Sequence, residues 1–236
     1  MRRPVSAFLV LFLVATACGG GDSDADSTLP TFPPVVVNDW LIGVSARDAA
    51  VVTAAVYQES LTLVIAVENG LDAPQTATML EDGLDPAFAA SYWQSFRDEF
   101  SQFSGGNLET LEVGRYEILA VDDIAFAAVE VSGREDRSEV MTRSDDSVGW
   151  QVDMLATVGP AFAAQLRRLA EELPPGVAGD RVREALRVSA LPALRAAAAR
   201  DPGNRTLTAD IERLQVILDQ AATSSTTTTD AAQDDA

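Results

Sequence analysis

A chain of 236 residues with 17 basic and 36 acidic side chains carries a formal charge of −19, and none of its basic residues is lysine. Such a surface repels phosphate backbones and anionic lipid, which disfavours nucleic-acid binding and membrane attachment through a basic patch. Histidine is absent and Cys18 is the single cysteine, so Ser-His-Asp and Cys-His catalysis, His- or Cys-based zinc sites and intramolecular disulfides are excluded, and no cofactor is called for.

The chain opens on Met1-Arg2-Arg3, an apolar run from Val5 to Val14 and Ala15-Thr16-Ala17-Cys18, the three parts of a secretory signal peptide over residues 1–17. The run is too short to cross about 30 Å of hydrocarbon, and no stop-transfer segment follows. Residues 15–18 resemble the lipobox of bacterial lipoproteins, with Ala15 where leucine is usual. The resemblance implies cleavage before Cys18, acylation of that cysteine with palmitate-type chains, and anchoring on the extracytoplasmic face of the cell membrane. An ordinary signal peptide cut nearby is the alternative. Residues 18–34 are rich in Gly, Asp, Ser and Pro and read as a lipidated, flexible tether of at most about 50 Å.

From Val36 to Asn69, Trp40, Leu41, Val44, Val51, Val52, Val56, Leu63, Val64 and Val67 recur in three- and four-residue steps, which predicts helix. A break is expected near Ser45 to Asp48, and Asn69-Gly70 supplies a C-cap. A short helix is expected over 76–82. Asp85-Pro86 then gives an N-cap with proline in the first turn of a helix whose Phe88, Tyr92, Trp93, Phe96, Phe100 and Phe103 fall on one stripe, stopped by Gly105-Gly106. Period-two alternation follows. It predicts strands over Leu108 to Val121, Ile124 to Val131, Arg137 to Arg143 and Gly149 to Leu155, with connections short enough to join only antiparallel neighbours. Helix returns over Pro160 to Leu173, Gly179 to Arg200 with a kink at Pro192, and Thr208 to Gln220 behind a threonine cap. Residues 222–236 are acidic and Ser/Thr-rich and are expected to be a disordered tail, with a glycan-bearing stalk as the other reading.

The fold class is therefore α+β: N-terminal helices on a curved four-stranded antiparallel meander over residues 35–157, with a helical C-terminal extension over 158–221. Val37-Asn38-Asp39-Trp40-Leu41, Ala46-Arg47-Asp48-Ala49-Ala50-Val51-Val52 and the closing Gly149-Trp150-Gln151-Val152-Asp153 resemble the NTF2-like, or cystatin-like, superfamily. That resemblance covers about half the chain and leaves the last helices unexplained. It implies a cone that can hold a small apolar ligand or serve as a partner surface, on a fold that hosts both enzymes and inert domains.

Tyr92, Trp93, Phe96, Tyr116 and Trp150 are the candidate ligand pocket, although core packing accounts for the same aromatic spacing. Asp39, Tyr57, Glu59, Tyr116 and Asp153 are the members available for a carboxylate reaction of the kind the resemblance implies, and solvation at the surface is the expected role of each acid. The acidic pairs at Asp22 to Asp26, Asp122-Asp123 and Asp145-Asp146 lack a calcium-loop pattern and read as turn formers. The function expected is a non-enzymatic binding or scaffolding lipoprotein, bound to the membrane through Cys18 and recognising an envelope protein or a small apolar ligand. A small-molecule isomerase or dehydratase using a carboxylate in the cone is the alternative.

Overall fold

The computed structural model describes residues 32–103, 108–133 and 137–230; the signal peptide, Cys18, the tether before Phe32, the acidic run Asp22 to Asp26, the Gly105-Gly106 stop and residues 231–236 lie outside the described residues. Helix α1 (Pro33–Ala46) starts inside the expected tether. Pro33 and Pro34 sit in its first turn, where a missing N–H leaves no helical bond unmade. It ends at Arg47, whose φ of 60° is left-handed, and Asp48 caps α2 (Ala49–Ala54) by accepting the Val51 N–H at 3.2 Å. The two helices touch at Gly43, where a Cβ would come within 2.8 Å of Val52 Cγ2.

Helix α3 (Gln58–Asn69) is buried from Ser60 through Ala66 and is the centre of the molecule. Being wrapped on all sides explains its β-branched composition, since a helix apolar all round belongs inside. Gly70 ends it at φ 62°, as the Asn69-Gly70 pair predicts. Helix α4 (Ala73–Asp82) begins earlier than expected, because Asp72 and Gln75 form a reciprocal capping box. Helix α5 (Pro86–Phe103) starts where Asp85 Oδ1 accepts the Ala87 and Phe88 N–H groups at 2.9 and 3.0 Å.

The sheet is an open antiparallel meander of β1 (Glu112–Val121), β2 (Ile124–Ser132), β3 (Arg137–Asp145) and β4 (Gly149–Val152), in that spatial order. Asp122 and Asp123, at φ 51° and 64°, make the tight turn between β1 and β2, the backbone that a two-residue hairpin requires. A bulge between Val113 and Tyr116 breaks the β1 register opposite Glu130. β4 is shorter than the expected strand. Asp153 ends it by accepting the Ala156 N–H at 2.9 Å, and Met154 and Leu155 belong to the next helix instead.

That helix is α6 (Met154–Val158), followed by α7 (Ala163–Glu172), α8 (Val177–Ala185), a π-helical turn (Leu186–Ala190), α9 (Leu191–Arg200) and α10 (Arg205–Asp230). Asn204, rather than a threonine, caps α10 through a 3.1 Å bond from the Leu207 N–H, so Thr208 lies inside the helix. α10 also runs past Ala222 into the stretch expected to be disordered. The Thr223 hydroxyl donates back to the Gln220 carbonyl at 2.9 Å, a bond that suits a threonine inside a helix.

Both sheet faces are covered. α1 packs across all four strands, over the face that carries Ala127, Val129, Val131, Val140 and Val152. The other face carries Phe126, Ala128 and Met141, and its charged rim meets α9, where Arg200 bridges Glu117 at 2.7 Å and Glu139 at 2.6 Å. Buried residues from Val36 to Leu218 form one continuous core, so the C-terminal helices are a third layer of the same body.

Candidate functional site

Pro192 has no N–H to offer the Val188 carbonyl four residues earlier, and its ring would clash with that carbonyl in a regular helix. The chain answers with the π-helical turn, in which the Leu191 N–H reaches back to the Leu186 carbonyl. The released Val188 carbonyl accepts from Arg143 Nη2 at 3.3 Å. The same turn brings the Ser189 hydroxyl 2.5 Å from Glu59 Oε2. Tyr57 donates its hydroxyl to that oxygen at 3.3 Å, and Arg181 Nη2 donates to Glu59 Oε1 at 2.8 Å and to the Leu80 carbonyl at 3.3 Å. The Arg143 guanidinium lies 4.3 Å from the centre of the Tyr57 ring.

The π turn and α8 thus meet α3 on a single carboxylate, and β3 joins the cluster through Arg143 on Tyr57 and on the Val188 carbonyl. Burial pushes Glu59 up, but the bonds from Ser189 and Arg181, the charge of Arg181 and the Tyr57 hydroxyl outweigh it and hold the carboxyl below its ordinary range. Asp153 goes the other way. Wholly buried, it is raised by desolvation against the opposing bonds from Ser60 and the Ala156 N–H and the charge of Arg143. Ser60 donates to Asp153 Oδ1 at 2.6 Å while its oxygen accepts the Leu155 N–H at 2.7 Å. Asp153 Oδ2 and Arg143 Nη1 are buried with no hydrogen-bond partner among the described residues.

Of the five members named for carboxylate chemistry, Tyr57, Glu59 and Asp153 converge here, whereas Asp39 is solvated and Tyr116 stands 40% exposed on β1. Surface solvation is therefore wrong for Glu59 and Asp153. Ser189, Arg143 and Arg181 complete the cluster and were not singled out by the sequence. The one signal available for them was a proline inside a helical run.

The aromatic stripe lies on the opposite flank of α3. Trp93, 3% exposed, meets Trp40 edge-on at 6.5 Å, Phe96 at 5.5 Å and Tyr92 at 5.1 Å, and its Nε1 donates to Thr53 Oγ1 at 3.0 Å. Trp93 and Phe96 thus pack on α1 through Trp40. Trp150 sits half-buried on β4 opposite Ser144 and joins no ring in this group. Tyr116 lines a separate, charged cavity with Arg115, Glu117 and Arg200. The five residues named as one pocket therefore divide among three places.

Tyr92 and Phe96 also face outward, where they line a groove of about 320 Å³ with Glu68, Asn69, Phe88, Ser91, Ser95 and Glu99. Burial and then the charge of Glu99 raise the Glu68 carboxyl, and burial followed by both acids raises the Tyr92 hydroxyl. Comparison with known protein families, curated proteins and solved structures finds no match. The local chemistry is thus a buried polar clamp on one flank of α3, satisfied except at Asp153 Oδ2 and Arg143 Nη1, and an open acidic, aromatic groove on the other. Among the described residues no helix is long and apolar enough to cross a membrane.

Proposed function

We propose that this chain is a lipid-anchored extracytoplasmic module that binds a partner or ligand through an NTF2-like body and does no chemistry of its own. The reading is carried by Cys18, the only cysteine in 236 residues, standing directly behind a positive and then apolar leader. Two supporting observations concern the body. Trp93 and Phe96 pack against Trp40, so the aromatic stripe is engaged in packing between α1 and α5. Asp153, the acid with the raised carboxyl, has a relative exposure of 0% and holds Ser60 and the start of α6 through Oδ1, so its burial gives a substrate carbonyl no approach to it. This weighs against the isomerase or dehydratase reading, which needs a carboxyl that substrate can touch. The groove between α3 and α5 is the binding surface the geometry favours.

The anchor is tested by Cys18→Ala. The parent protein should fractionate with membranes and carry the added mass of acyl chains, and the variant should be released and unacylated. A variant that stays bound to membranes to the same extent overturns the proposal.

A further inference from the structure

The groove between α3 and α5 has an electrostatic deficit. Glu68 lies in the last turn of α3, where the helix dipole already places partial negative charge and where a cation would be stabilised, yet that turn holds no basic residue. Glu99 faces it from α5, close enough that its charge acts on Glu68. No ion pair joins either acid to an arginine among the described residues, although most arginines around the sheet and the C-terminal helices are paired. The wall between the two acids is aromatic. Phe88, Tyr92 and Phe96 line it, and Phe88 is an exposed large hydrophobic that the core does not absorb.

Acids with no arginine partner among the described residues, the negative end of a helix and aromatic rings each favour the same ligand, because ring quadrupoles and carboxylates both attract positive charge and rings also shed water from apolar substituents. A metal ion would want several oxygen ligands at short range, and no group of three or more such residues occurs among the described residues. A neutral apolar ligand would use the rings alone and leave both carboxylates to water.

We propose that this groove binds an organic monocation, an ammonium group carrying methyl or alkyl substituents, with Glu68 and Glu99 supplying the charge and Phe88, Tyr92 and Phe96 the apolar wall. The proposal rests on the binding-module reading and names the ligand class of the same groove. A free amine and a side chain of a partner supply the same ammonium chemistry, and that shared chemistry is tested first.

Choline and its uncharged isostere 3,3-dimethylbutan-1-ol are titrated into the purified full-length chain, with tryptophan fluorescence as the readout, since Trp93 lies against Tyr92. Cation–π attraction and two exposed carboxylates give an expected preference for choline of roughly tenfold, about 1.4 kcal/mol. Glu68→Gln combined with Glu99→Gln should weaken choline roughly tenfold. Glu212→Gln, on the exposed side of α10, should leave it unchanged, and circular dichroism should show both variants folded. Equal affinity for the alcohol, undiminished binding by the folded double variant, or no saturable response overturns the inference. If choline binds as expected, a trimethyllysine peptide that competes with it assigns the ammonium to a protein partner, and one that does not assigns it to a free amine. Loss of choline binding together with intact release of Cys18→Ala from membranes sinks this inference alone. Normal choline binding with no anchoring sinks the anchored-module reading alone.

Discussion

Glu59 and Asp153 lie on the same side of α3 and are displaced in opposite directions, so they oppose each other in the pH dependence of stability. Glu59 is held ionised below its ordinary value. Its contribution is present above the unfolded carboxyl value of about 4.3 and is lost as pH falls through the lower folded value. Asp153 is raised, so its neutral form is the favoured one. The stability that form contributes is fully present below about 3.9 and is lost as pH rises toward the folded value. Asp153→Asn keeps an oxygen for Ser60 and for the Ala156 N–H but cannot titrate. Urea midpoints of this variant should therefore decline less between pH 4 and pH 7 than those of the parent, the difference being at most about 1.4 kcal/mol per pH unit. Parallel curves would mean that Asp153 does not titrate in that window. Glu59→Gln should lower stability by about 1.5–3 kcal/mol, because it withdraws the anion from Arg181, Ser189 and Tyr57. The Glu59 side chain is 24% exposed, which keeps the loss below that of a fully buried pair. An unfolding midpoint within error of the parent would show the cluster to be energetically idle.

At the scale of elements, the π turn is the device that converts one proline into a tertiary contact. Pro192→Ala restores an N–H that can bond the Val188 carbonyl, letting the Leu186–Ala190 turn rewind as α-helix. Rewinding rotates Ser189 away from Glu59 and returns the Val188 carbonyl to the helix at the expense of Arg143. A double-mutant cycle between Ser189→Ala and Glu59→Gln should give a coupling on the order of 1 kcal/mol in the parent background and close to none in Pro192→Ala. Equal coupling in both would show that Ser189 does not depend on the π turn. The same elements show what the sequence makes legible. Asn69-Gly70, Asp85-Pro86 and Asp122-Asp123 act within a few residues of themselves, so the ends of α3, the start of α5 and the first hairpin can be read directly. A kink at Pro192 was readable on the same grounds, but its form was not, since a π turn is chosen by what receives the freed carbonyl. Glu59 and Ser189 are 130 residues apart, and no local pattern reports that they meet. β4 reads too long for a related reason. Val152 and Leu155 are both apolar, and only the capping role of Asp153 separates the strand from α6. The aromatic stripe was legible as packing, yet the groove on its outer edge was not, because Glu68 and Asn69 come from a different helix.

For the whole molecule, the decisive question is whether the helices after the sheet are an appendage or part of the fold. Leu166, Leu186, Leu191, Leu194, Leu214 and Leu218 are among the largest fully buried side chains, and all of them follow the sheet. At about 1.5–3 kcal/mol for each such burial, their sum is comparable with or larger than the 5–15 kcal/mol by which a whole domain is stable. The surface ion pairs of Arg200 and Arg195 add little to this, since exposed pairs contribute about 0–1 kcal/mol each. No disulfide is available to compensate, so the core must be complete to be stable. A chain ending at residue 158 would uncover Phe126, Ala128 and Leu155 and leave Glu59 without Ser189 or Arg181. Residues 32–222 should therefore unfold in urea as one cooperative transition with coincident fluorescence and circular dichroism. Residues 32–158 should show no cooperative transition and should bind a hydrophobic dye. A folded 32–158 fragment with its own sharp transition would instead make the sheet unit self-sufficient and reduce the last helices to an attachment.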